Sequence, residues 1–165
     1  MRAQPTDHAK FTAWRESNAQ NLNLPLDWKE LSCKDTLASE LVWKFEWYLS
    51  CGPDKYVRIW ERYERWPKLL GASRRASFVY HYGALVGIGK DGNPTYNPKN
   101  PVDIRIDNIN RPYHMHFGAP DPHHDQSVIK GLTLEDMDMF EFLNGIIRHR
   151  SNNKPLNKIF GFTIG

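Results

Sequence analysis

Apolar positions in the first part of the chain recur at helical spacing. Residues 6–20 read as a helix: Thr6 can cap it, Asp7 sits in its first turn, and Phe11 and Trp14 share a face at i, i+3. Pro25 breaks the pattern, and Asp27 can cap a short helix through Leu31. From Asp35, the residues Leu37, Leu41, Phe45 and Tyr48 form an i, i+4, i+8, i+11 stripe. Val42, Trp43 and Trp47 widen it, which predicts a buried helix ended by Cys51-Gly52-Pro53. Asp54 can cap a further helix that Pro67 stops, with Tyr56, Trp60 and Tyr63 on one side and Arg58, Arg62 and Arg65 on another.

After Gly71 the period changes from 3.6 to 2. Residues 76–89 read as a strand, bent at Gly83. A Gly/Pro/Asn loop follows, with Asp91-Gly92 as its strongest turn signal. Residues 102–109 alternate cleanly, with Val102, Ile104 and Ile106 on one face, and residues 113–117 form a second strand expected to pair with the first in antiparallel fashion. Thr133 can cap a helix from Leu134 to about Arg148. Its rival is a hairpin turning at Asn144-Gly145, and the helix is preferred because Phe140, Leu143 and Ile147 fall on one face. The tail from Lys158 reads as a last strand. The fold class expected is therefore α+β in a single domain over residues 1–165. Its first 70 residues would be mainly helical, and residues 76–165 would hold a small, mostly antiparallel sheet with packed helices.

With 165 residues, 40% hydrophobic and 25% charged, the chain has the composition of one globular domain and not of a disordered one. No apolar run approaches the roughly 18–20 residues that cross a bilayer, and no secretory signal is visible at the start, so a cytoplasmic protein without a membrane partner is expected. Cys33 and Cys51 fit two thiols in a reducing compartment. The net charge of +3 is mild but unevenly spread. Between Lys55 and Arg75 seven basic residues face only Glu61 and Glu64, which attracts polyanions. The candidate nucleic-acid contacts are Arg58, Arg62, Arg65, Lys68, Arg74 and Arg75, since arginines neutralise phosphates while neighbouring rings stack on bases. The competing reading packs the rings inward and leaves the arginines on a solvated face.

All six tryptophans lie in the first 66 residues, and five of the seven histidines in the last 52. The sharpest constellation is Arg111-Pro-Tyr-His114-Met-His116. In a strand, His114 and His116 project from the same face, with Met115 turned to the core. Two adjacent imidazoles suit general acid–base chemistry, and an arginine beside them can hold a phosphodiester. The same pair also suits a metal, with His123 and Asp125 as further ligands, although the spacing matches no known metal signature and no cofactor is expected. Histidines 123 and 124, within Asp121–Asp125, otherwise read as a solvated loop. Arg148 and His149 end the candidate helix. They either complement its dipole or join the His114/His116 site as phosphate and proton groups. Arg111 and His116 also match the Arg-x4-His spacing of HEPN ribonucleases, but that motif belongs on a helix and Pro112 argues for a strand. No P-loop or nucleophile elbow is present.

Two segments resemble the YafO-type toxins, ribosome-associated mRNA interferases of bacterial toxin–antitoxin pairs. One is Glu46–Leu70, with Gly52-Pro53 and its basic stretch; the other is the strand Tyr113–Phe117, similar to an aliphatic-His-x-His strand of that family. The N-terminal 35 residues have no counterpart, and the late segment from Gly131 does not align. The resemblance implies metal-independent RNA cleavage carried by His114, His116 and Arg111, with an antitoxin as partner. The expected function is thus an RNA-binding protein with endoribonuclease activity. The alternatives are a phage or mobile-element accessory protein that binds a host protein or nucleic acid, and a metal-dependent hydrolase.

Overall fold

A computed structural model describes residues 7–39, 41–65, 73–95, 102–109, 114–117 and 137–161. Helix α1 (His8–Gln20) precedes six strands: β1 (Trp28–Ser39), β2 (Val42–Cys51), β3 (Lys55–Arg65), β4 (Ser73–Ala84), β5 (Val102–Asp107) and β6 (His114–Phe117). Helices α2 (Met139–Asn152) and α3 (Leu156–Ile159) follow. The strands form one sheet in chain order, every neighbour antiparallel.

The expected helical first part is not found. Residues 28–65, read as three helices, are three strands of this sheet. The reason is a period of two within β2. Trp43, Phe45, Trp47, Leu49 and Cys51 are all buried, while Lys44, Glu46 and Tyr48 between them are not. The same turn signal then serves a different purpose. Gly52, at φ +75°, lies in the tight link that reverses β2 into β3 rather than ending a helix. The tail is also not a strand as far as it is described: residues 156–159 are a short helix that ends in a turn at Phe160 and Gly161.

Other expectations hold. Residues 8–20 are helical, though Asp7 is the cap, accepting from the Lys10 amide at 2.8 Å. Strands β5 and β6 lie where alternation places them and pair antiparallel, whereas β4 ends at Ala84 and residues 85–89, read as its continuation, lie outside it. The preferred late helix forms, but it starts at Met139; Thr133 and Leu134 lie outside the described residues. Asp138 and Glu141 make a reciprocal capping box there, which satisfies both orphan amide ends.

Among the described residues every helix packs on one face of the sheet. Phe11 of α1 lies 4.7 Å from Tyr63 and 5.9 Å from Phe45, ring centre to ring centre. Trp43 stacks on Tyr63 at 5.3 Å with the planes 2° apart. Phe142 of α2 meets Tyr80, and Phe160 closes over Phe142. Gly145, read above as a possible turn, sits inside α2 because Phe160 crosses there: a Cβ would stand 2.5 Å from the Phe160 Cζ. Gly145→Ala is therefore expected to destabilise the fold by about 1 kcal/mol. Overpacking costs roughly 1–3 kcal/mol and improved helix propensity returns about 1. Urea unfolding checks it, and a stabilised variant contradicts the close approach. Among the described residues no helix is long and apolar enough to cross a membrane.

Candidate functional site

Strand alternation leaves the second face of the sheet free of helices among the described residues. On it the antiparallel register aligns one row across five strands: Tyr48, Arg58, His81, Arg105 and His116. The adjacent row runs Lys34, Glu46, Trp60, Val79, Asp107 and His114. Neighbouring strands lie about 4.8 Å apart, so His81 and His116 flank Arg105 at roughly 10 Å from backbone to backbone.

Asp107 is the centre of this arrangement. Its side chain is 1% exposed, and its Oδ1 accepts from the Ile109 amide at 3.0 Å, which fixes the carboxylate. The Oδ2 lies 2.6 Å from the Arg105 Nε and 3.9 Å from the His116 Nε2. The carboxylate is thus fixed by the backbone and lies within ion-pair reach of the imidazole, outside hydrogen-bond distance. The Arg58 Nη2 donates to the Glu46 Oε2 at 2.8 Å, and its guanidinium stands 5.7 Å over the Tyr48 ring.

His81 is 9% exposed, with the Tyr56 ring 5.1 Å away. Burial, reinforced by Arg105 and Arg58, pushes its imidazole down to about 3. It is neutral at physiological pH, so the row carries two fixed cations and not three. The unfolded imidazole takes up its proton near pH 6.5. Stability from this group is therefore complete above about pH 6.5 and declines as the pH falls toward 3, because the unfolded state binds the extra proton. His81→Asn is expected to flatten that acid limb of the stability curve, and urea midpoints measured between these two pH values check it.

The candidate residues read from the sequence separate into three groups. His116 is on the helix-free face, and His114 pairs in register with Asp107, although of His114 only the backbone position is described. Arg111, His123 and Asp125 lie outside the described residues. His149 does not join His116. Its ring packs 5.9 Å from Tyr82, its Nδ1 bonds the Lys154 carbonyl, and Tyr82 points to the helix-covered side, so the sheet stands between the two histidines. Arg148 is exposed on α2 just before the last turn, in which His149 and Arg150 lie.

The basic stretch divides too. Its described parts lie in β3 and β4 and not in a helix, so Arg58 and Arg62 share the helix-free face with Trp60, and Arg62 pairs with Glu64 at 3.1 Å. Arg75 is a buried core cation, 3.6 Å from the fully buried Glu61, and is not a nucleic-acid contact. Arg65 and Arg74 are described only as strand positions, and Lys68 lies outside the described residues. Sequence reading missed His81, Arg105 and Asp107. The signal for the last two was present, since residues 102–107 alternate and place Arg105 and Asp107 together opposite Ile104 and Ile106. Cys51, pushed up to about 12 by burial, is an inert core thiol, and Cys33 is also unpaired. Among the described residues no three His, Cys, Asp or Glu side chains converge as a metal site.

No family model, curated protein or solved structure matches the chain.

Proposed function

We propose that this protein is a cytoplasmic endoribonuclease that binds RNA on the helix-free face of its sheet and cleaves it by imidazole chemistry without a metal. The observation that carries the reading is the cross-strand row Arg58, His81, Arg105 and His116, with Asp107 fixed behind its end. Two arginines in one row offer forked donors to the oxygens of a phosphodiester. His116, oriented by Asp107, accepts the proton of a ribose 2′-hydroxyl. The 2′-oxygen attacks the adjacent phosphorus, and the bond to the 5′-oxygen breaks. The leaving oxygen takes a proton from a second imidazole, that of His114 in this reading, which is supported by its register beside Asp107. The products are a 2′,3′-cyclic phosphate and a 5′-hydroxyl. The resemblance of Tyr113–Phe117 to the His-x-His strand of YafO-type toxins points the same way, with mRNA as substrate and an antitoxin as partner. The two unpaired thiols fit a reducing cytoplasm.

Incubation of the purified protein with RNA in EDTA, with and without ribosomes, tests the reading. Cleavage is expected to persist, to leave cyclic phosphate ends, and to stop when the scissile ribose is 2′-deoxy. Products with a 3′-hydroxyl and a 5′-phosphate, or cleavage only on adding a divalent ion, overturn it.

A further inference from the structure

The row of arginines and histidines is one end of a longer surface. Next to Arg58 on β3 stand Trp60 and Arg62, and across the register from these lie Glu46 and Lys44 on β2, then Lys34 and Thr36 on β1. Lys34 and Lys44 are exposed and Trp60 is partly exposed, so a partly open indole shares this side of the sheet with two solvent-facing ammonium groups. Tyr48 stands on the same side, 6.3 Å from Tyr56 ring to ring. None of these positions is needed to move a proton or hold the scissile phosphate.

We infer that Trp60, Lys34, Lys44 and Arg62 form a track for the single-stranded RNA that flanks the scissile bond, with Trp60 stacking one base and the cations following the phosphates. This inference rests on the RNA reading of the same face and adds its substrate class. Three arguments favour a single strand. An open sheet side with a partly exposed ring suits unstacked bases and not a closed duplex, in which the bases stack on one another. One ring, Trp60, and three cations, Lys34, Lys44 and Arg62, share this side of the sheet, with Glu46 between Lys34 and Trp60, so an unstacked base and the phosphates beside it find contacts on the same surface. The track runs on from the proposed phosphate row without a break, because Arg58 and Trp60 are i, i+2 on β3 and project from one side.

The test separates binding from cleavage. A fluorescein-labelled 2′-O-methyl oligoribonucleotide, which cannot be cleaved, is titrated with the wild-type protein by anisotropy at several salt concentrations. Single-stranded probe is expected to bind more tightly than the same sequence annealed to its complement. Trp60→Ala is expected to weaken it roughly tenfold, the loss of one stacked base. Lys34→Gln with Lys44→Gln is expected to lower the slope of log affinity against log salt by about one to two. In parallel, cleavage of a dinucleoside monophosphate, too short to reach the track, is expected to be unchanged by these substitutions. Equal binding of duplex, or unchanged affinity and salt slope in the variants, overturns the track even if the dinucleotide is cut. Preferential binding of an acidic peptide over the RNA overturns it as well. Binding as expected with no cleavage of any RNA keeps the track and overturns the endoribonuclease reading alone. Circular dichroism on each variant confirms folding, and Trp60→Phe, which keeps a stacking ring, is expected to retain most of the affinity.

Discussion

His116→Ala is expected to slow RNA cleavage by about 10²–10⁴-fold, the usual loss when a positioned proton-transfer group is removed. Single-turnover cleavage of labelled RNA measures it. His116 is not among the apolar core residues, so the variant should remain folded, which an unchanged urea midpoint confirms. Asp107 provides the control that a merely structural role would fail. Its Oδ1 is held by the Ile109 amide and its Oδ2 faces both Arg105 and His116, so in the proposed reaction it would act through these two groups. Asp107→Asn keeps the shape but removes the charge. It is expected to reduce kcat with little change in KM and to move the pH profile of kcat. In the His116→Ala background the same change is expected to have little further effect, since groups that act as a unit are not additive. Full cleavage by His116→Ala sinks the proposed chemistry. An unchanged pH profile in Asp107→Asn removes its positioning role.

The sheet-forming part of the sequence was legible where one face is wholly apolar. Residues 102–107 alternate without exception, and the register found there, with Arg105 beside His116 and Asp107 beside His114, follows from that alternation. The helix from Met139 was legible through its periodic apolar face, but its start was displaced. Two plausible caps, Thr133 and Asp138, compete in the sequence, and Asp138 has Glu141 three residues on to complete the box. Residues 28–65 were misread for a physical reason. Strands β2 and β3 place aromatic side chains on both faces, Trp43 and Phe45 in the core and Tyr48, Tyr56 and Trp60 on the other side. A chain with rings on both faces satisfies a helical template as well as a period of two. Glu61 deepened the error, because a carboxylate at a core position breaks the apparent alternation of β3. The site itself was half legible. A His-x-His strand can be read from one segment, but the partners Arg58 and His81 come from strands that only the meander brings alongside.

Glu61→Ala is expected to destabilise the protein by about 3–5 kcal/mol, the largest stability change foreseen for a single substitution here. Glu61 is 0% exposed, and its carboxylate accepts from the Tyr63 hydroxyl at 2.8 Å and from the Tyr80 hydroxyl while lying 3.6 Å from Arg75. Arg75 in turn donates to the Tyr80 hydroxyl and, at 2.6 Å, to the Met137 carbonyl just before α2, and lies 4.1 Å over the Phe78 ring. Burial, reinforced by the Glu61 charge, raises both tyrosines well above their ordinary value, so each phenol keeps its proton and remains a donor. Removing the carboxylate takes a buried counter-charge from the Arg75 guanidinium beneath the helices and an acceptor from each of two phenols. Since a domain of this size has roughly 5–15 kcal/mol in total, the variant approaches the unfolding threshold. Urea denaturation followed by far-ultraviolet dichroism checks the loss, with the m-value showing whether α2 has already come away from β4. The double change Glu61→Met with Arg75→Met separates charge from packing. Replacing both ions by apolar side chains of similar volume is expected to recover most of the stability, apart from the bond to the Met137 carbonyl. If the double variant is as unstable as Glu61→Ala, the hydrogen bonds of this network and not the stranded charge hold α2 to the sheet. If Glu61→Ala stays within about 1 kcal/mol of the wild type, the network carries no structural weight, because even one lost buried hydrogen bond costs about that much.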